Sequence, residues 1–62
     1  MKIQNGTLYW NTKTNRVERL NHAIPCEGKA WTYHHDEVLK KVELADLDVA
    51  DLGQVDGYLG RN

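Results

Sequence analysis

The stretch Asp36-Glu37-Val38-Leu39-Lys40-Lys41-Val42-Glu43-Leu44-Ala45-Asp46-Leu47-Asp48-Val49-Ala50-Asp51-Leu52 decides how this chain is read. Val38, Val42, Ala45, Val49 and Leu52 lie four, three, four and three positions apart, the spacing of one apolar stripe on an α-helix. At about 100° per residue, Leu44 and Leu47 then point away from that stripe. Two resolutions are open. Either a continuous helix about 25 Å long carries a second apolar face, or the helix breaks near Asp46 and turns both leucines inward. Asp36 and Glu37 suit the positive end of the helix dipole, and Gly53 after Leu52 suits a left-handed terminus. Asp46, Asp48 and Asp51 sit badly at the negative end, and Asp48 as the cap of a second short helix accompanies the broken alternative.

Upstream the period changes to two. Thr7-Leu8-Tyr9-Trp10 follows the turn-prone pair Asn5-Gly6, with Leu8 and Trp10 on one face and Thr7 and Tyr9 on the other. Asn11-Thr12-Lys13-Thr14-Asn15 has no apolar member and reads as a surface loop, after which Arg16-Val17-Glu18-Arg19-Leu20 returns as a partner strand. Pro25 and Gly28 make 21–28 irregular. Ala30-Trp31-Thr32-Tyr33-His34 restores the alternation as a third strand. The tail Gln54-Val55-Asp56-Gly57-Tyr58-Leu59 reads as a turn or a last irregular strand, with Val55, Tyr58 and Leu59 able to dock. The expected fold is therefore α+β: a small antiparallel hairpin or three-stranded meander, over about 7–10, 16–20 and 30–34, packed against a C-terminal helix over about 36–52.

Sixty-two residues form one domain at most, and such a chain buries only about 60% of the surface its unfolded form exposes. Domains of this size lean on disulfides, a metal, a partner or a very good core. A single cysteine, Cys26, excludes an internal disulfide and points to a reducing compartment. No apolar run is long enough to span a membrane, and the polar start Met1-Lys2-Ile3-Gln4-Asn5 leaves no signal-peptide core. The expectation is a cytoplasmic protein, complete from its initiator Met. Net charge is −1, but unevenly spread: five basic and two acidic residues precede Asp36, and three basic and seven acidic ones follow from it.

Four groups of residues bear on chemistry. His22, Cys26, His34 and His35 are zinc-ligand types, but neighbours on a strand face opposite ways, so no four converge easily and no metal is expected. Asp46, Asp48, Asp51 and Asp56 fail the helix-loop-helix calcium template, which places Ala50, Asp51 and Gly57 where donors, glycine and Glu belong. No serine is present and no glycine-rich loop sits between a strand and a helix, so neither an enzyme nor a cofactor is expected. The hairpin aromatics and cations Trp10, Lys13, Arg16, Arg19 and Trp31 are suited to single-stranded nucleic acid, against a mildly acidic chain.

The leading expectation follows from the stray leucines. On a continuous helix Leu44 and Leu47 forfeit about 1.5–3 kcal/mol each of available burial, which a partner surface would restore. The chain thus reads as a non-enzymatic interaction module, binding a second copy or an unknown protein through Leu44, Leu47 and Tyr58. Nucleic-acid binding across the hairpin is the alternative.

Overall fold

The alternation at Leu8-Tyr9-Trp10-Asn11 does produce a strand, one paired on both sides within a larger sheet than the pattern implies. The computed structural model describes residues 6–61. In it β1 (Leu8–Asn11), β2 (Arg16–Ile24), β3 (Lys29–Tyr33), β4 (Lys40–Glu43) and β5 (Leu47–Val49) precede one helix, α1 (Leu52–Leu59). The strands form one antiparallel sheet in the order β4-β3-β2-β1-β5. The class is α+β, with five strands where three are expected. Asn5 lies outside the described residues; Gly6, its turn partner, has φ 81°. Among the described residues no helix is long and apolar enough to cross a membrane.

The expected helix over 36–52 is replaced by a loop, β4, a 3₁₀ turn at Leu44–Asp46 and β5. Two local periodicities explain it. Lys40-Lys41-Val42-Glu43 alternates: Val42 pairs with Ala30 and packs on the core, while Lys41 and Glu43 are exposed. A 3₁₀ turn has three residues per revolution, so Leu44 and Leu47 fall on the same side. That side is the interior, where Leu47 is 2% exposed and Leu44 packs on the core. The expected stripe is turned out instead: Val38, Ala45, Val49 and Leu52 are exposed, and only Val42 is partly buried.

The helix begins where the expected one was to end. Asp51 is its N-cap: Gln54 N donates to Asp51 Oδ1 (2.7 Å) and Asp51 N donates to Gln54 Oε1 (2.9 Å), a reciprocal capping box. Gly60, at φ 74°, ends it in the left-handed conformation, with Arg61 N donating to Asp56 O (2.8 Å). The tail read as turn or strand is thus α1, and Gly53 lies inside it rather than capping its end.

Five flat strands span about 19 Å from edge to edge. The outermost two, β4 and β5, are joined by only Leu44–Asp46, a link whose ends stand at most about 14 Å apart when fully extended. The sheet must therefore curl. Leu44 N donates to Gly28 O (2.9 Å), and Thr12 N to Asp46 O (2.8 Å), tying the 3₁₀ turn to the start of β3 and to the β1–β2 turn. Inside the curl lie Tyr9, Leu20, Ala30 and Leu47, flanked by Ala23, Val42 and Leu44. A bulge at Asn21 lets β2 run on to Ile24, through residues expected to be irregular.

The interior also holds polar groups. Asn11, expected at the surface, is buried; its Oδ1 accepts from Lys13 N (2.9 Å) and Thr14 N (3.2 Å), which shapes the turn 12–15. Its Nδ2 donates to Glu18 Oε1 (3.0 Å), as does Thr32 Oγ1 (3.0 Å). Lys40 Nζ lies 2.5 Å from Glu18 Oε2. Fully buried Glu18 thereby joins β2 to β1, β3 and β4. Burial pushes its carboxyl up, but hydrogen bonds from Lys40, Asn11 and Thr32 to the charged form outweigh it, and the group sits below the ordinary carboxylate range.

Candidate functional site

Outside the curl, the face of β1 and β2 bearing Trp10, Val17 and Arg19 meets α1. The helix does not cover it fully. Between them is a cleft of about 330 Å³ lined by Trp10, Val17, Asn15 and Arg16 from the hairpin, His34 and His35 from the loop after β3, and Gly53, Gln54, Gly57 and Tyr58 from α1. Among the described residues no carboxylate lines it.

Tyr58 organises this cleft. Its ring stacks on His35 with centroids 4.2 Å apart and planes 6° from parallel, and meets His34 edge-on at 5.4 Å. Arg19 sits 5.8 Å from the Tyr58 centroid. Tyr58 Oη accepts from the backbone N–H of His35 (3.0 Å). His35 has φ 53°, a left-handed conformation that side chains adopt at a cost, and the stack and hydrogen bond hold it there. His34 Nδ1 donates to Val17 O (2.7 Å), which leaves Nε2 as the unprotonated nitrogen of the neutral ring. Arg16 makes a bidentate pair with Glu37 (3.0 and 3.1 Å), and this pair holds the Glu37 carboxyl below the ordinary range.

Gly53 and Gly57, four apart, leave the helix surface bare where it faces the cleft. Each glycine costs an exposed helix about 1 kcal/mol relative to alanine. A Cβ built at Gly53 meets nothing closer than Asp51 Oδ1 at 3.5 Å, so the space kept open there is not needed for the protein's own packing.

The residues singled out in the sequence are dispersed. Of Leu44, Leu47 and Tyr58, the first two face the core, so the apolar patch expected on the second face of a helix does not exist, and only Tyr58 borders a surface cleft. Trp10 and Arg16 line the cleft and Arg19 flanks it through Tyr58. Lys13 lies across the β1–β2 turn. Trp31, two strands from Trp10, pairs instead with Lys41, whose Nζ is 5.9 Å from its centroid. Cys26 is exposed on the first 3₁₀ turn (Pro25–Glu27), and among the described residues no three His, Cys, Asp or Glu side chains converge.

Sequence reasoning does not assign the two histidines and the two helix glycines to this site. The glycines are visible in principle, as costly residues inside the segment that follows the box Asp51-x-x-Gln54. No family model, no curated protein and no solved structure matches the chain.

Proposed function

We propose that the protein is a non-enzymatic interaction module that acts through the cleft between the sheet and α1. The observation that carries this reading is an open, carboxylate-free cleft walled by Trp10, Tyr58, His34 and His35, beside which the helix keeps two glycines. Rings supply contact area at low conformational cost, and Asn15, Gln54 and Arg16 supply orienting polar groups. Nothing in the cleft resembles an activated nucleophile: His34 Nδ1 is committed to a carbonyl, and Cys26 does not line it.

The test is amide and indole NMR shift mapping with planar aromatic fragments. Fragments should move the Trp10 indole, His35 and Tyr58 signals together. Gly53→Ala should abolish the effect while leaving the fold at least as stable, because the added methyl narrows the cleft that Gly53 lines and meets only Asp51 Oδ1, at an ordinary contact distance of 3.5 Å. Fragments that leave these signals unmoved at millimolar concentration refute the reading.

A second reading, association of two copies, is favoured by a different observation. Val49 (71% exposed) ends the edge strand β5, and Leu52 (75% exposed) opens α1 three residues later. Covering both would recover apolar burial that one copy leaves unused.

A further inference from the structure

We infer that the ring-lined cleft and a second, lysine-lined cleft on the other side of the β1–β2 turn together hold single-stranded nucleic acid, an inference that rests on the proposed binding role of the ring-lined cleft. The second cleft is also about 330 Å³ and is lined by Lys13, Lys29, Lys40 and Lys41, with Glu43 and Asp46 among its other residues. Its Lys13 and Thr14 are followed in the chain by Asn15 and Arg16 of the ring-lined cleft, so four consecutive residues join the two. Asn15, at φ 58°, and the two amides received by Asn11 Oδ1 fix this turn.

The chemistry divides between the two sides. Exposed His35 already stacks on Tyr58, and a base laid on its solvent side continues that stack. The phosphates on either side of that base pass Arg16 and reach the lysines. Lys29, Lys40 and Lys41 are held in place by Glu43, Glu18 and Glu27, and among the described residues Lys13 has no carboxylate within ion-pair distance. Phosphates would share Arg16 with Glu37 and the three paired lysines with their glutamates, while of the seven acidic residues from Asp36 onward only Glu43 and Asp46 line either cleft. Stacking on His35 needs an unpaired base, which a duplex does not present.

Fluorescence anisotropy with a short labelled oligothymidine tests the inference. If about three phosphates are neutralised, affinity falls about twenty-fold between 50 and 200 mM salt. Lys13→Gln should lower affinity and flatten that salt slope by about 0.7. His35→Gly removes the ring at a position whose backbone suits glycine, so it should keep the thermal midpoint and weaken binding about five-fold or more. Absence of binding at 50 mM salt, equal affinity for duplex, or parent-like affinity in His35→Gly overturns it. If no oligonucleotide binds while fragments still move the cleft signals, this inference falls alone and the cleft serves a partner of another class. If the oligonucleotide moves only the lysine side, base stacking on the rings is refuted as well.

Discussion

Replacing Lys40 by Met should destabilise the domain by about 2 kcal/mol. The substitution keeps an unbranched side chain of similar length and removes the ammonium that meets Glu18 Oε2 at 2.5 Å. Removing one partner of a fully buried ion pair costs about 3–5 kcal/mol, because the other charge is stranded. Here the penalty is smaller, since the Lys40 side chain is 35% exposed and Arg16, 3.9 Å from the same oxygen, can move closer. For a domain of this size, 2 kcal/mol lowers the thermal midpoint by about 10 °C. Urea denaturation followed by tryptophan fluorescence at pH 7 and at pH 3.5 is the assay.

The sign of the pH effect follows from the folded-state carboxyl lying below its ordinary value. Its stabilisation is present above the unfolded value, about 4.3, and is lost as pH falls through the folded one. Glu37, held down by Arg16, and Glu43, held down by Lys29, act in the same direction at the surface. In Lys40→Met, burial of Glu18 is opposed only by Asn11, Thr32 and a distant Arg16, so its carboxyl rises and the gap between variant and parent narrows on acidification. The double variant Glu18→Gln with Lys40→Met should recover much of the loss, since a glutamine oxygen still accepts from Asn11 and Thr32. A Lys40→Met protein within about 0.5 kcal/mol of the parent at pH 7, with an unchanged acid profile, would refute the idea that this pair matters to the fold.

Other perturbations separate the observed fold from the helix expected over 36–52. Leu47→Ala should cost about 2–4 kcal/mol in the same urea assay, whereas Val49→Ala, predicted to be the damaging change if 36–52 were helical, should cost under about 0.5 kcal/mol. Asp51→Ala removes half of the capping box and should cost about 1 kcal/mol, with accelerated hydrogen exchange confined to α1. If two copies associate, sedimentation velocity should show a dimer that Leu52→Lys abolishes; a single species across the accessible concentration range would dispose of that reading.

The hairpin is legible because β-prone residues at Leu8 to Trp10 and Val17 to Leu20 flank a polar turn, and the aromatic and β-branched run Trp31 to Tyr33 gives the third strand. β4 is hidden because Val42 shares a four-and-three spacing with Val38, Ala45, Val49 and Leu52, which belong to different elements. Only one of those five residues is partly buried, so the coincidence carries no physical meaning. Leu44 and Leu47 are the real signal: three apart, they fit a 3₁₀ turn that buries both, a periodicity outside the choice between a continuous and a broken α-helix. Asp51-x-x-Gln54 marks the true helix start, but the expected helix over 36–52 absorbs Asp51 into its last turn. Of the candidate site, Trp10, Arg16 and Tyr58 stand out as residues, yet their proximity is not readable. It depends on a left-handed His35 and on α1 folding back over β2, both of which are tertiary facts.

The brevity of Leu44–Asp46 also decides where this protein tolerates added length. Residues inserted there would slacken the short covalent strap between β4 and β5, and Leu44 and Leu47 would lose their common direction into the interior. The exposed pair Val38-Leu39 bears no such tension, so peptide tags or domain grafts belong there, between β3 and β4, where lengthening the chain leaves both rims of the sheet stitched together and His35 and Glu37 in place.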